Sequence, residues 1–165
     1  MAKRKENNAL YFLTANEARF LESFCGLIVP SGADPKLEPG ANDVGALNYI
    51  DSDLLDFPKE VQEYYRESIR LVDELSQKKF GGKFAQLSDG DKNMILRDFY
   101  LNPKTRERMF GLRSLALEGF YSDYRDPWYD GISGWEFTGF SGKRISDLKK
   151  DWTFLKIWRD WESKK

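Results

Sequence analysis

Apolar residues along this chain recur by threes and fours, and almost nowhere by twos, so the pattern predicts helices rather than strands. The first helix opens at Thr14-Ala-Asn-Glu17, where a hydroxyl and a Glu three positions on form a capping box. Ala18, Leu21, Phe24, Cys25 and Ile28 then make one stripe, and Pro30 closes the segment. Residues 30–41 hold three prolines and two glycines, which excludes helix interior and predicts an ordered loop. A brief helix is expected around Val44 to Ile50. The longest should start near Pro58 and stop at Gly81-Gly82, burying Val61, Tyr65, Ile69, Val72 and Leu75.

A turn over 82–87 leads to a second N-cap at Ser88, launching Met94, Ile95 and Phe99. Beyond Pro103, Met109, Leu112, Leu115, Ala116 and Phe120 share a face. From Ser122 to Gly142 the texture changes: Tyr124, Trp128, Tyr129, Trp135, Phe137 and Phe140 lie among four glycines. That mixture is too glycine-rich for helix and too aromatic for a solvated linker. It predicts an ordered loop strapped onto the helices, with short antiparallel pairing around Trp135 to Phe140. A last helix is expected from Ile145, Leu148, Trp152, Leu155 and Trp158. The fold class is all-α, a compact helical bundle in one domain: residues 1–142 with a C-terminal extension over 143–165.

Composition narrows the chemistry. The 165 residues contain no histidine and one cysteine. That excludes an imidazole base, a Ser-His-Asp or Cys-His nucleophile, a His-bound metal and an intrachain disulfide. A net charge of −1 argues against a generally basic nucleic-acid surface, and no apolar run is long enough to span a bilayer. Residues 143–165 carry eight basic and four acidic side chains, so the rest of the chain is acidic. Cys25, on an apolar stripe, reads as a small hydrophobe. Ser88-Asp-Gly-Asp91 reads as a cap rather than a calcium loop, and no phosphate-binding glycine pattern is present.

Aromatics make up 15% of the chain, enough both to fill a core and to anchor an interface. Tyr124, Trp128, Tyr129, Trp135, Phe137, Phe140, Trp152 and Trp158 are the candidate partner-binding residues. Glu118, Asp123, Asp126, Asp130 and Glu136 cluster near the same loop. Paired carboxylates beside aromatic platforms suit a carbohydrate-active enzyme, and the platforms alone suit a carbohydrate-binding module. Helix capping and loop solvation account for the same carboxylates without any catalysis.

The run Leu115-Ala-Leu-Glu-Gly-Phe-Tyr-Ser-Asp123, followed by Gly131, Gly134-Trp135 and Gly139-Phe-Ser-Gly142, resembles the gluconate 2-dehydrogenase subunit 3 family. Phe12-Leu-Thr-Ala-Asn-Glu-Ala18, Leu27-Ile-Val-Pro30, Val44-Gly-Ala-Leu-Asn-Tyr-Ile-Asp51 and Phe84-Ala-Gln-Leu-Ser88 are similar to further segments of that family, in its order. The resemblance implies a non-catalytic small (gamma) subunit, with no catalytic, cofactor-binding or metal residue on this chain. Its partner would be a large FAD-containing sugar or glycoside dehydrogenase subunit of the glucose-methanol-choline type, in some systems joined by a cytochrome subunit.

The family often begins with a twin-arginine leader. Lys3-Arg-Lys5 departs from it, which points to a cytoplasmic complex, or to a periplasmic one whose leader sits on the partner or was trimmed. Residues 143–165 lie beyond the family's usual pattern.

Overall fold

The computed structural model describes residues 10–122 and 129–139. Among these residues six α-helices follow one another: α1 Ala15–Ile28, α2 Ala46–Asp56, α3 Lys59–Phe80, α4 Asp89–Leu101, α5 Arg106–Tyr121 and the single turn α6 Gly134–Phe137. A 3₁₀ turn, Phe84–Gln86, joins α3 to α4, and no strand occurs among the described residues. The all-α expectation therefore holds. The expected last helix over 145–158 lies outside the described residues.

Local signals explain most helix ends. Thr14 Oγ1 accepts from the Glu17 N–H, and the Glu17 carboxylate accepts from the Thr14 N–H at 2.8 Å, completing the capping box. Ser88 caps α4 by accepting from the Asp91 N–H. Gly81 ends α3 with φ of 75°, a left-handed conformation that glycine adopts without a Cβ clash. Pro58 sits at the N-cap of α3, one position before the first helical residue. The Gln62 side chain turns back from α3 and donates to the carbonyls of Leu54, Leu55 and Phe57, closing the end of α2.

Two expectations need correction. The helix expected over 44–50 instead starts at Ala46 and runs to Asp56. Gly45 at φ 79° sets its start, and Ile50 and Leu54, four apart, give it a buried face past the expected end. Strand pairing around Trp135 to Phe140 is replaced by α6 where the chain is described. Ser133-Gly-Trp-Glu136 forms a capping box there: Ser133 Oγ accepts from the Glu136 N–H, and Glu136 accepts from the Ser133 N–H at 2.7 Å.

α5 is the central element, packing against α1, α2, α3 and α4. Its predicted face is buried: Met109, Leu112, Leu115, Ala116 and Phe120 all lie in the core. Phe20 and Phe24 of α1 stack 5.9 Å apart, and Phe84 tilts onto Phe20 at 5.0 Å, an aromatic cluster under the 3₁₀ turn. On α3, Ile69 and Val72 are buried, whereas Val61, Tyr65 and Leu75 are half-buried near the edge. Met94 faces outward, so the α4 stripe runs through Ile95, Leu96 and Phe99.

Candidate partner interface

The segment that follows α5 is held down by close backbone approaches. Ser122 ends the helix in an extended conformation, and its hydroxyl donates to the Gly119 carbonyl at 2.9 Å. The chain, described again from Tyr129, runs beside the Pro/Gly loop of residues 30–41. Tyr129 Oη donates to the Pro35 carbonyl at 2.6 Å, and the Ile132 N–H donates to the Lys36 carbonyl at 3.0 Å. Lys36 Nζ pairs with Asp130 at 2.6 Å on the open surface. The hydrogen bond from Lys36 holds the Asp130 carboxyl below its ordinary range. Two loops that composition marks only as non-helical thus brace each other.

α6 then seats on the end of α5. A Cβ at Gly134 would fall onto the Phe120 carbonyl oxygen, so this contact needs glycine. A Cβ at Gly131 would approach within 2.8 Å of Lys36 Cα. On α5 itself, a Cβ at Gly119 would lie 3.0 Å from the Ala46 Cβ and 3.1 Å from the Ala46 carbonyl oxygen, which is how closely α2 and α5 cross. Gly119 of α5 and Gly131 and Gly134 of the Gly-rich stretch therefore carry packing, not a phosphate cradle.

This packing separates the candidate aromatics. Tyr129 is half-buried and holds the loop through its hydroxyl. Trp135 is half-buried, its carbonyl accepting from Thr138 Oγ1 at 2.7 Å. Phe137 is 49% exposed, its ring edge-on to buried Phe120 at 6.2 Å. Tyr124, Trp128, Phe140, Trp152 and Trp158 lie outside the described residues. Tyr121, which the sequence reading did not single out, is also exposed and packs edge-on to Phe120 at 4.8 Å. Its signal was available: position 121 follows Glu118 by three, on the face of α5 opposite the core.

The candidate carboxylates do not converge on a reaction centre among the described residues. Asp130 is paired with Lys36, Glu136 caps α6, and Glu118 is exposed on the last turns of α5; Asp123 and Asp126 lie outside the described residues. A groove of about 370 Å³ between α3 and α4, lined by Leu71, Leu75 and Phe99, receives none of them. A second, of about 290 Å³ between α1 and α3, is lined by carboxylates in local ion pairs, Glu17 with Arg66 and Glu67 with Arg70. No group of three or more Asp, Glu or Cys among the described residues could hold a metal ion. Burial pushes the Cys25 thiol up to about 12, leaving it an inert core side chain. No described helix is long and apolar enough to cross a membrane.

Asp53 and Asp56 of α2 and Glu118 of α5 form no ion pair with a described residue. Burial, with Asp53 and Glu118 nearby, raises the Tyr49 phenol; burial, followed by Glu118, raises that of Tyr65. Asp53 is itself raised, by desolvation and then by the like charge of Asp56.

No curated protein and no solved structure matches the chain. The family model described as gluconate 2-dehydrogenase subunit 3 matches residues 15–142, from the first residue of α1 to the end of the glycine-rich pattern. The chain belongs to the gluconate 2-dehydrogenase subunit 3 family.

Proposed function

We infer that this protein is a non-catalytic small subunit that binds and stabilises a large FAD-dependent sugar or glycoside dehydrogenase subunit of the glucose-methanol-choline type. The observation that carries this reading is the family match over residues 15–142. The site geometry supports it from the other side. The residues of the family pattern build a braced surface, in which Gly119 and Gly134 allow close packing and Phe137 and Tyr121 stand exposed above Phe120.

The physical role is binding linkage. A subunit that binds only the folded flavoprotein stabilises it by about 2.7 kcal/mol when present at roughly a hundred times its Kd. Exposed rings fixed on a buried neighbour suit that task, because their ordering cost is met during folding rather than at association. The flavin and the proton-transferring groups belong to the large subunit in this account. This chain supplies surface.

Co-expression with a large FAD-dependent dehydrogenase subunit from the same source tests it. A yellow complex should elute as one species at micromolar concentration, and Phe137→Ala with Tyr121→Ala should weaken it at least tenfold, about 1.4 kcal/mol. Two subunits that elute apart would contradict the reading.

A further inference from the structure

We propose that the outward face of α5 carries the partner contact from Tyr121 along the helix to Phe110, and that it receives an apolar ridge of the large subunit bordered by Asp or Glu. The proposal rests on the function inferred above and adds to it the place and the chemistry of the contact. Phe110, Arg113, Leu117 and Tyr121 are spaced by three, four and four, so they share one side of α5, across from buried Leu112, Leu115 and Ala116. Phe110 is 46% exposed and Tyr121 42%, with half-buried Leu117 between them. At ~1.5 Å per residue this line runs about 16 Å.

Both ends of the line are held by other rings. At one end Phe137 and Tyr121 both pack edge-on to buried Phe120. At the other, Tyr100 of α4 meets the Phe110 ring edge-on at 5.7 Å. The Arg106 guanidinium lies over the Tyr100 ring at 5.5 Å, and its Nε donates to the Tyr100 carbonyl at 3.2 Å. Rings fixed against each other lose little freedom on association, and Tyr, Phe and Arg are enriched at protein interfaces.

Charge identifies what the stripe receives. Arg97, Arg106 and Arg113 form no ion pair among the described residues, and no Asp or Glu stands three or four positions from any of them. On α3 the opposite holds, where Arg70 pairs with both Glu67 and Glu74. Residues 97–113 carry five basic and two acidic side chains in a chain whose net charge is −1. Guanidinium groups beside exposed rings suit carboxylates, which they bind through two parallel N–H bonds. A flat polyanion, such as a membrane or a nucleic-acid duplex, would also meet Glu107 and Glu118, exposed on the same helix. A protein ridge one helix wide meets only the stripe.

The test measures affinity between this chain and a large FAD-dependent dehydrogenase subunit from the same source. Arg97→Glu with Arg113→Glu reverses two exposed charges beside the stripe, and Lys59→Glu with Lys78→Glu makes the same change of net charge on α3. The arginine pair should weaken binding at least tenfold at low salt and remove most of its salt dependence, while the lysine pair stays within about twofold of the parent. A photo-crosslinking residue at position 110 should join the large subunit at a segment containing Asp or Glu. Equal weakening by both pairs, or an arginine pair that binds like the parent, overturns the proposal and leaves the inferred function standing. So does a crosslink to a second copy of this chain, to lipid or to nucleic acid. A parent chain that binds no large subunit overturns the inferred function, and this contact with it. Unfolding of each variant alone separates lost affinity from lost fold, and the crosslink decides the matter without any charge variant.

Discussion

The Asp51 carboxylate accepts a hydrogen bond from the Leu13 backbone N–H at 2.8 Å, joining α2 to a residue 38 positions earlier. The same side chain, only 2% exposed, accepts from the N–H groups of Tyr11 at 2.6 Å and Phe12 at 3.0 Å. Three successive backbone donors thus converge on one buried carboxylate, which fixes the entry to α1. Asp51→Ala strands those donors away from water, with an expected loss of about 3 kcal/mol. Asp51→Asn keeps one acceptor oxygen and should lose less. Urea unfolding of the two variants checks the order; equal stability of Asp51→Ala and the parent would show that the donors find water instead.

At Gly134 and Gly119 the prediction concerns space. Gly134→Ala drives a methyl into the Phe120 carbonyl, so α6 must lift from α5. Gly119→Ala pushes on Ala46 and Ile50, and the overpacking should outweigh the better helix propensity of alanine, for a net loss of about 1 kcal/mol. Hydrogen exchange separates the two. Gly134→Ala should expose amides of 132–137 with little change in α1, whereas Gly119→Ala should lower protection throughout α2 and α5.

Cys25 gives a pH test with a defined sign. Burial raises its thiol from 9.0 to about 12, so the folded chain keeps this proton where the unfolded chain has released it. Its contribution to stability is therefore constant below pH 9 and lost as pH rises from there towards 12. The difference between the parent and Cys25→Ala should drift with pH in that window and not below it. A thiol reagent at pH 8 should label the native chain only as fast as it opens.

The physical distance over which a signal acts decides how much of this was legible. Thr14 with Glu17, Ser88 and Gly81 act within one helical turn, and each marks its helix end as expected. Ser133-Gly-Trp-Glu136 carries the same capping-box signal, but the surrounding glycines and aromatics masked a helix of one turn. Asp51 with Leu13, and Tyr129 with Pro35, join residues 38 and 94 positions apart, and nothing in either local pattern announces its partner. The candidate interface was legible as an aromatic surplus. Its division between Tyr129, which braces a loop, and Phe137, which faces out, depends on which backbone lies beneath each ring.

The most direct measurement is the thermal unfolding of the large flavoprotein subunit, followed by release of its flavin, as this chain is titrated in. The account predicts a midpoint that rises steadily with the concentration of this chain, by mass action, and no sugar oxidation by this chain alone. A midpoint that stays constant across the titration, or turnover by the isolated chain that vanishes when Glu118 becomes Gln, contradicts it.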